Sequence, residues 1–217
     1  MYIYFKRFRH LILGLVTCLA LVGLSASSLS GWLGASPARA QAPSANINSE
    51  FSLTASAQIN IKAAETKLLA QGMQQPYTTY VAIMSEDNVV GSSPETRARG
   101  TVGAVMSGNR LVTRGSFNIL SSPMRDYATD PVNPPNTNIT SAFHIHQGTS
   151  MENGPFQYAL DVMTGSTERS GSAMGEYVLT QEQMQALADG RLYVDIHTTK
   201  NRGGELRGTL MPYSASR

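Results

Sequence analysis

From residue 77 onward, short runs alternate apolar and polar residues between clusters of Gly, Pro, Asn and Ser. Gly100-Thr101-Val102-Gly103-Ala104-Val105-Met106 and Arg110-Leu111-Val112-Thr113-Arg114-Gly115-Ser116-Phe117 have the two-residue period of strands buried on one face. Ser107-Gly108-Asn109 between them suits a hairpin, because Gly and Asn tolerate positive φ. Similar runs predict strands over 80–84, 139–146, 157–163, 175–179, 191–197 and 205–211. Residues 130–138 hold Pro131, Pro134 and Pro135 and form a loop, since proline cannot donate to a ladder. The period changes at Thr180-Gln181-Glu182-Gln183, which has capping-box spacing, and Met184, Leu187 and Ala188 follow at helical intervals before Gly190. A helix over 181–189 is predicted there. A second, short helix is expected over 63–70, a stretch of good helix formers closed by Gly72. The sum is an all-β fold: a Greek-key antiparallel β-sandwich with one short inserted helix and a short N-terminal helix.

The first forty residues read as a signal peptide. Lys6, Arg7 and Arg9 precede an apolar run of 14 residues, Leu11 to Leu24, and Ala38-Arg39-Ala40 offers a small-residue cleavage pattern. The run is short against the roughly 20 residues of a bilayer span. The expected organisation is a signal peptide over 1–40, a linker with the short helix over 41–76, and the β-sandwich over 77–213. The product is expected to be exported, periplasmic or secreted, with no stable membrane span after cleavage.

Cys18 and Trp32 both fall in the leader, so the chain from Gln41 has no cysteine and rests on its core without disulfides. Without the leader's four basic residues, 13 Lys and Arg face 15 Asp and Glu, a net charge of −2. That balance gives no electrostatic reason to expect a nucleic acid or an anionic membrane as partner.

The candidate chemistry lies in three histidines. His144 and His146, two apart in a predicted strand, place their imidazoles on one face while Phe143 and Ile145 take the other. His197 follows the apolar strand Leu192-Tyr193-Val194-Asp195-Ile196 and completes a three-imidazole metal site if that strand lies beside the first. Neutral imidazoles suit copper, zinc or nickel, and copper is plausible in an exported protein. The alternative is that the rings hydrogen-bond to loop backbone and fix the sheet edge without metal. Asp161, Asp195 and Glu205 are acids that could orient a ligand, Asp195 reaching the His197 face only if the strand twists. Glu205 and Arg207, two apart on one strand face, could form an ion pair anchoring the last strand. Asn153-Gly154 reads as a turn, and the ten methionines form no clustered array, so they read as core filler.

Two segments together resemble the CHRD domain, a module named for chordin and found in exported bacterial proteins. Phe143-His144-Ile145-His146-Gln147-Gly148 through Asn153-Gly154-Pro155 is similar to the family's paired histidines, glycine and Asn-Gly-Pro turn. Residues 187–210, with Asp189-Gly190-Arg191 and Gly203-Gly204-Glu205-Leu206-Arg207-Gly208, are similar to its closing block. The chain departs from the pattern in a longer loop over 121–140, in lacking a proline over 198–204, and in Asp195, where an asparagine is expected. The CHRD module has no generally established activity. The expected function is that of a non-catalytic binding or interaction module of the cell envelope or extracellular space, with an envelope or extracellular protein or glycan as partner.

A weaker resemblance is to copper–zinc superoxide dismutase, whose copper strands look like Phe143-His144-Ile145-His146 and the strand from Gly190 to His197. It implies, as the alternative, a mononuclear copper-binding redox protein. No histidine lies between His146 and His197, so the bridging imidazole of that enzyme is missing, as is its paired cysteine. No Gly-x-Ser-x-Gly elbow, cysteine nucleophile or phosphate-binding glycine loop points to a conventional enzyme.

Overall fold

The structure, a computed structural model, describes residues 46–73 and 76–214. The expected signal peptide and the first residues of the expected linker lie outside the described residues. In chain order the elements are α1 (Asn46–Ala70), β1 (Thr78–Met84), β2 (Arg99–Ser107), β3 (Arg110–Asn118), β4 (Phe143–Gln147), β5 (Phe156–Ala159), β6 (Asp161–Thr164), β7 (Gly171–Val178), α2 (Gln181–Ala188), β8 (Leu192–Ile196), β9 (Leu206–Thr209) and β10 (Met211–Pro212). A six-stranded sheet runs β10-β1-β2-β3-β7-β6 and a four-stranded sheet β5-β4-β8-β9, with antiparallel pairing throughout. The order β10-β1-β2-β3 brings the last strand back beside the first, which is the Greek-key return. The predicted all-β sandwich is the observed fold.

Alternation places the core. Tyr80, Ala82, Met84, Val102, Ala104 and Phe117 face inward from the larger sheet and meet Phe143, Ile145, Val194, Ile196 and Leu206 from the smaller one, all buried. Phe117 meets Phe143 edge-on at 6.3 Å. Each of the larger aliphatic and phenylalanine side chains among them, taken fully out of water, contributes roughly 1.5–3 kcal/mol. Inward-facing Phe143 and Ile145 leave His144 and His146 on the outer face of the smaller sheet.

Two expected strands are each divided between the sheets. The run over 157–163 is β5 in the small sheet and β6 in the large one, separated by Leu160; the run over 205–211 divides at Leu210 into β9 and β10. Leu160 N–H donates to Phe143 and Leu210 N–H to Leu192, each at 2.9 Å, and both side chains are fully buried. Each leucine ends one ladder and drops into the core while the chain stays extended, so the sequence keeps the look of one strand.

The N-terminal helix begins well before the expected residue 63. Ala57, Asn60, Ile61, Ala64 and Leu68 form its buried stripe at intervals of three and four, against the outer face of the large sheet. Ala64 and Leu68 pack with Val105 and Val112, so β2 is buried on both faces. Asn60 donates its amide to Thr101 Oγ1 at 2.9 Å and Ser116 Oγ at 3.0 Å. Gly103 permits the approach, because a Cβ there would lie 2.3 Å from Ile61 N. Helix α2 has the predicted capping box at Thr180 and Gln183.

Candidate metal centre

Register brings the three histidines together. Strand β4 pairs with β8, His144 opposite Asp195 and His146 opposite Tyr193, and β8 pairs with β9, Asp195 opposite Arg207. Residues directly opposite share a face, and His197 shares it by lying two beyond Asp195, where its N–H donates to Ala142 at 2.9 Å. The outer face of the small sheet therefore carries His144, His146, Tyr193, Asp195, His197 and Arg207. A β-bulge between Ile145 and His146 in the β4–β5 pairing sets Phe156 opposite His146.

Each imidazole has one nitrogen committed to a backbone carbonyl. His144 Nε2 donates to Ser141 O at 2.6 Å, His146 Nδ1 to Gly154 O at 3.0 Å, and His197 Nδ1 to Arg202 O at 2.9 Å. A carbonyl only accepts, so these contacts fix the tautomer of each neutral ring. The other nitrogen then carries a lone pair, and all three lone-pair nitrogens face Asp195 Oδ1: His144 Nδ1 at 3.7 Å, His146 Nε2 at 3.3 Å and His197 Nε2 at 3.2 Å.

In neutral rings none of these approaches is a hydrogen bond, since a ring lone pair there meets a carboxylate oxygen that only accepts. His146 Nε2, His197 Nε2 and Asp195 Oδ1 are buried without a hydrogen-bond partner, three of only six such side-chain atoms among the described residues. An unsatisfied buried polar atom costs about 1–3 kcal/mol, and native proteins keep few. Three gathered at one point, two ring nitrogens and one carboxylate oxygen, can be satisfied by a proton shared with Asp195 or by a bound cation. One donor atom from each of His144, His146, Asp195 and His197 lies within 4.8 Å of the others.

The electrostatics agree. Burial drives the His144 pKa down to about 4 against the pull of Asp195, so the ring is neutral at physiological pH. Burial opposes ionisation of Asp195, but the His197 and His146 rings outweigh it and hold the carboxyl far below its usual range. Burial also lowers His197, yet Asp195 more than compensates and raises it. A cation in the site would take the place of the proton that Asp195 draws to His197.

The site is closed. The side chains of His144 and Asp195 are 2% and 3% exposed, those of His197 and His146 12% and 15%. Tyr127 lies over it, 5.3 Å from His144 and 6.4 Å from His197 between ring centres. Its loop is tied down by Arg125 N–H donating to His197 O at 3.1 Å and by the Arg125–Asp130 ion pair at 2.9 Å. Beside the site, Tyr193 stacks on His146 at 5.2 Å, and the Arg207 guanidinium lies over the Tyr193 ring at 4.1 Å.

The sequence matches the CHRD domain over residues 80–210, more than half of its length. The chain belongs to the CHRD family. No curated protein and no solved structure matches it. The CHRD motif residues other than the histidines support the site from behind. The Gly154 carbonyl holds His146 and its N–H donates to Tyr193 Oη at 3.0 Å; a Cβ at Gly154 would lie 1.8 Å from Gln147 O, so no other residue fits. Gly148 N–H donates to Arg191 O at 2.9 Å, and a Cβ there would meet Gly154 Cα and the Glu152 side chain at 3.2 Å. Asn153 Oδ1 accepts from Arg207 Nη2 at 2.6 Å.

The three candidate acids fare differently. Asp195 lies among the imidazoles themselves; being two residues from His197, it needs no twist to share that face. Asp161 is exposed on β6 of the other sheet. Glu205 and Arg207 form no ion pair with each other among the described residues. Glu205 precedes the first residue of β9, and its carboxylate accepts from Thr96, Ser121, Thr198 and Asn201, whereas Arg207 faces Asn153, Tyr193 and Asp195. Tyr127 and Tyr193 escaped the sequence reading. Tyr193 stands at the histidine parity of its strand, which was a usable signal; Tyr127 sits in a loop, where no periodicity marks it.

Proposed function

We propose that this CHRD protein is an exported, non-catalytic binding module of the cell envelope or extracellular space, and that its binding centre holds one transition-metal ion on His144, His146 and His197. CHRD is a family of extracellular, binding-type modules, and among the described residues no helix is long and apolar enough to cross a membrane. The observation that carries the metal reading is the fixed tautomers: three loop carbonyls take one N–H from each ring and leave three lone pairs converging on one buried point. Imidazole nitrogen suits copper, zinc or nickel. Burial of the site beneath Tyr127 favours holding an ion over turning over a substrate.

A second reading, a copper centre that cycles between oxidation states, is favoured by the three imidazole nitrogen donors and opposed by the carboxylate among them. Elemental analysis tests the primary reading. Protein purified from its native compartment without a histidine tag is expected to carry about one transition-metal ion per chain, lost in His146→Ala. Folded wild-type protein that carries none, and takes up none when copper, zinc or nickel is supplied, would sink it.

A further inference from the structure

We propose that Asp195 is itself the fourth ligand, which makes the centre a closed three-histidine, one-aspartate site for a divalent ion of the zinc type and sets it against copper(I). The inference rests on the reading that the three histidines bind metal, and it deepens it.

The geometry of Asp195 Oδ1 is that of a ligand. Four donors about 2.0–2.1 Å from a tetrahedral ion lie about 3.3 Å from one another. Oδ1 stands 3.2, 3.3 and 3.7 Å from the three ring nitrogens, close to the three edges that meet at one corner of such a tetrahedron, and all four donors lie within 4.8 Å of one another, so the ring nitrogens need only draw together around an ion. A carboxylate that merely oriented a histidine would accept a hydrogen bond from the ring's far N–H. Here that role belongs to the carbonyls of Ser141, Gly154 and Arg202, and Oδ1 lies on the lone-pair side of all three rings without a hydrogen bond. Asp195 Oδ2 faces Arg207 Nη2 at 3.7 Å, which turns the other oxygen toward the imidazoles.

The donor set decides the ion. An anionic, hard oxygen adds charge stabilisation for a divalent ion and little for soft, monovalent copper. Zinc accepts four-coordinate nitrogen and oxygen sets without a redox change, and structural zinc sites are closed where catalytic ones keep an open position. Asp195 fills the position that three histidines alone would leave free.

The test titrates zinc(II), cobalt(II) and copper(I) into metal-free wild type, Asp195→Asn and His146→Ala. Asp195→Asn is expected to weaken zinc by about 100-fold or more, since even outer partners of a metal ligand are worth about 10–100-fold, while copper(I) affinity moves less than about threefold. Wild type with cobalt(II) is expected to show the intense visible absorption of a tetrahedral ion. If Asp195→Asn fails to fold, the wild-type infrared difference spectrum on zinc addition serves instead, with an aspartate carboxylate band expected to move. Unchanged zinc affinity in Asp195→Asn, or a stationary carboxylate band, overturns Asp195 as a ligand; loss of metal in His146→Ala would leave the histidine site standing. A wild type that binds none of the three ions overturns both.

Discussion

Glu205→Ala is expected to destabilise the fold by about 4 kcal/mol, a large part of the 5–15 kcal/mol that holds a typical domain. Its carboxylate is fully buried and accepts from Thr96 Oγ1, Ser121 N and Oγ, Thr198 Oγ1 and Asn201 Nδ2 at 2.7–3.0 Å. Hydrogen bonds to a charged group are worth about 1.5–3 kcal/mol each, they are not additive, and alanine leaves several buried donors unpaired. These contacts tie the ends of three loops to the start of β9. Urea unfolding should show a lower midpoint at unchanged slope; a change below about 1 kcal/mol would contradict the assignment.

The same residue gives a pH dependence. Burial pushes the Glu205 pKa up, but the bonds from Ser121, Thr96 and Thr198 outweigh it and hold it below its usual value. Its contribution is therefore complete above the unfolded-state value of about 4.3 and is lost as pH falls through the lower folded-state value. Glu205→Gln should flatten the acid limb of the stability profile.

Metal should stabilise the wild type by a comparable amount. An ion that binds only the folded state adds RT ln(1 + [L]/Kd), about 4 kcal/mol at a free concentration a thousandfold above Kd. For a domain of this size that is roughly 8–16 °C in Tm. Calorimetry over a zinc series should show Tm climbing with concentration in wild type and staying flat in His146→Ala. An equal rise in both proteins would mean non-specific binding.

Much of this was legible in the residues. Period-two alternation showed which side of β4 faces the core, and so which side carries His144 and His146. That β8 lies beside β4 is a matter of long-range pairing, which no local pattern encodes, yet once paired the register follows from parity. The same parity puts Asp195, two residues before His197, on the His197 face, where the sequence expectation had required a twist. Leu160 and Leu210 hid the changes of sheet because the backbone stays extended through both. The early part of α1 was masked by its composition: its buried stripe includes a polar residue, Asn60, and the small Ala57 and Ala64, while Ile59 on the same helix is exposed. The sheet it covers, with Gly103 and Thr101 shaped to receive it, is what makes that stripe a core face.

Anomalous diffraction from crystals of the zinc-loaded protein, recorded on both sides of the zinc absorption edge, tests the metal centre most directly. One strong difference peak about 2.0–2.2 Å from His144 Nδ1, His146 Nε2 and His197 Nε2 is the expected result. A crystal grown with excess zinc that shows no peak at these three nitrogens, or shows peaks only at the surface, would contradict it.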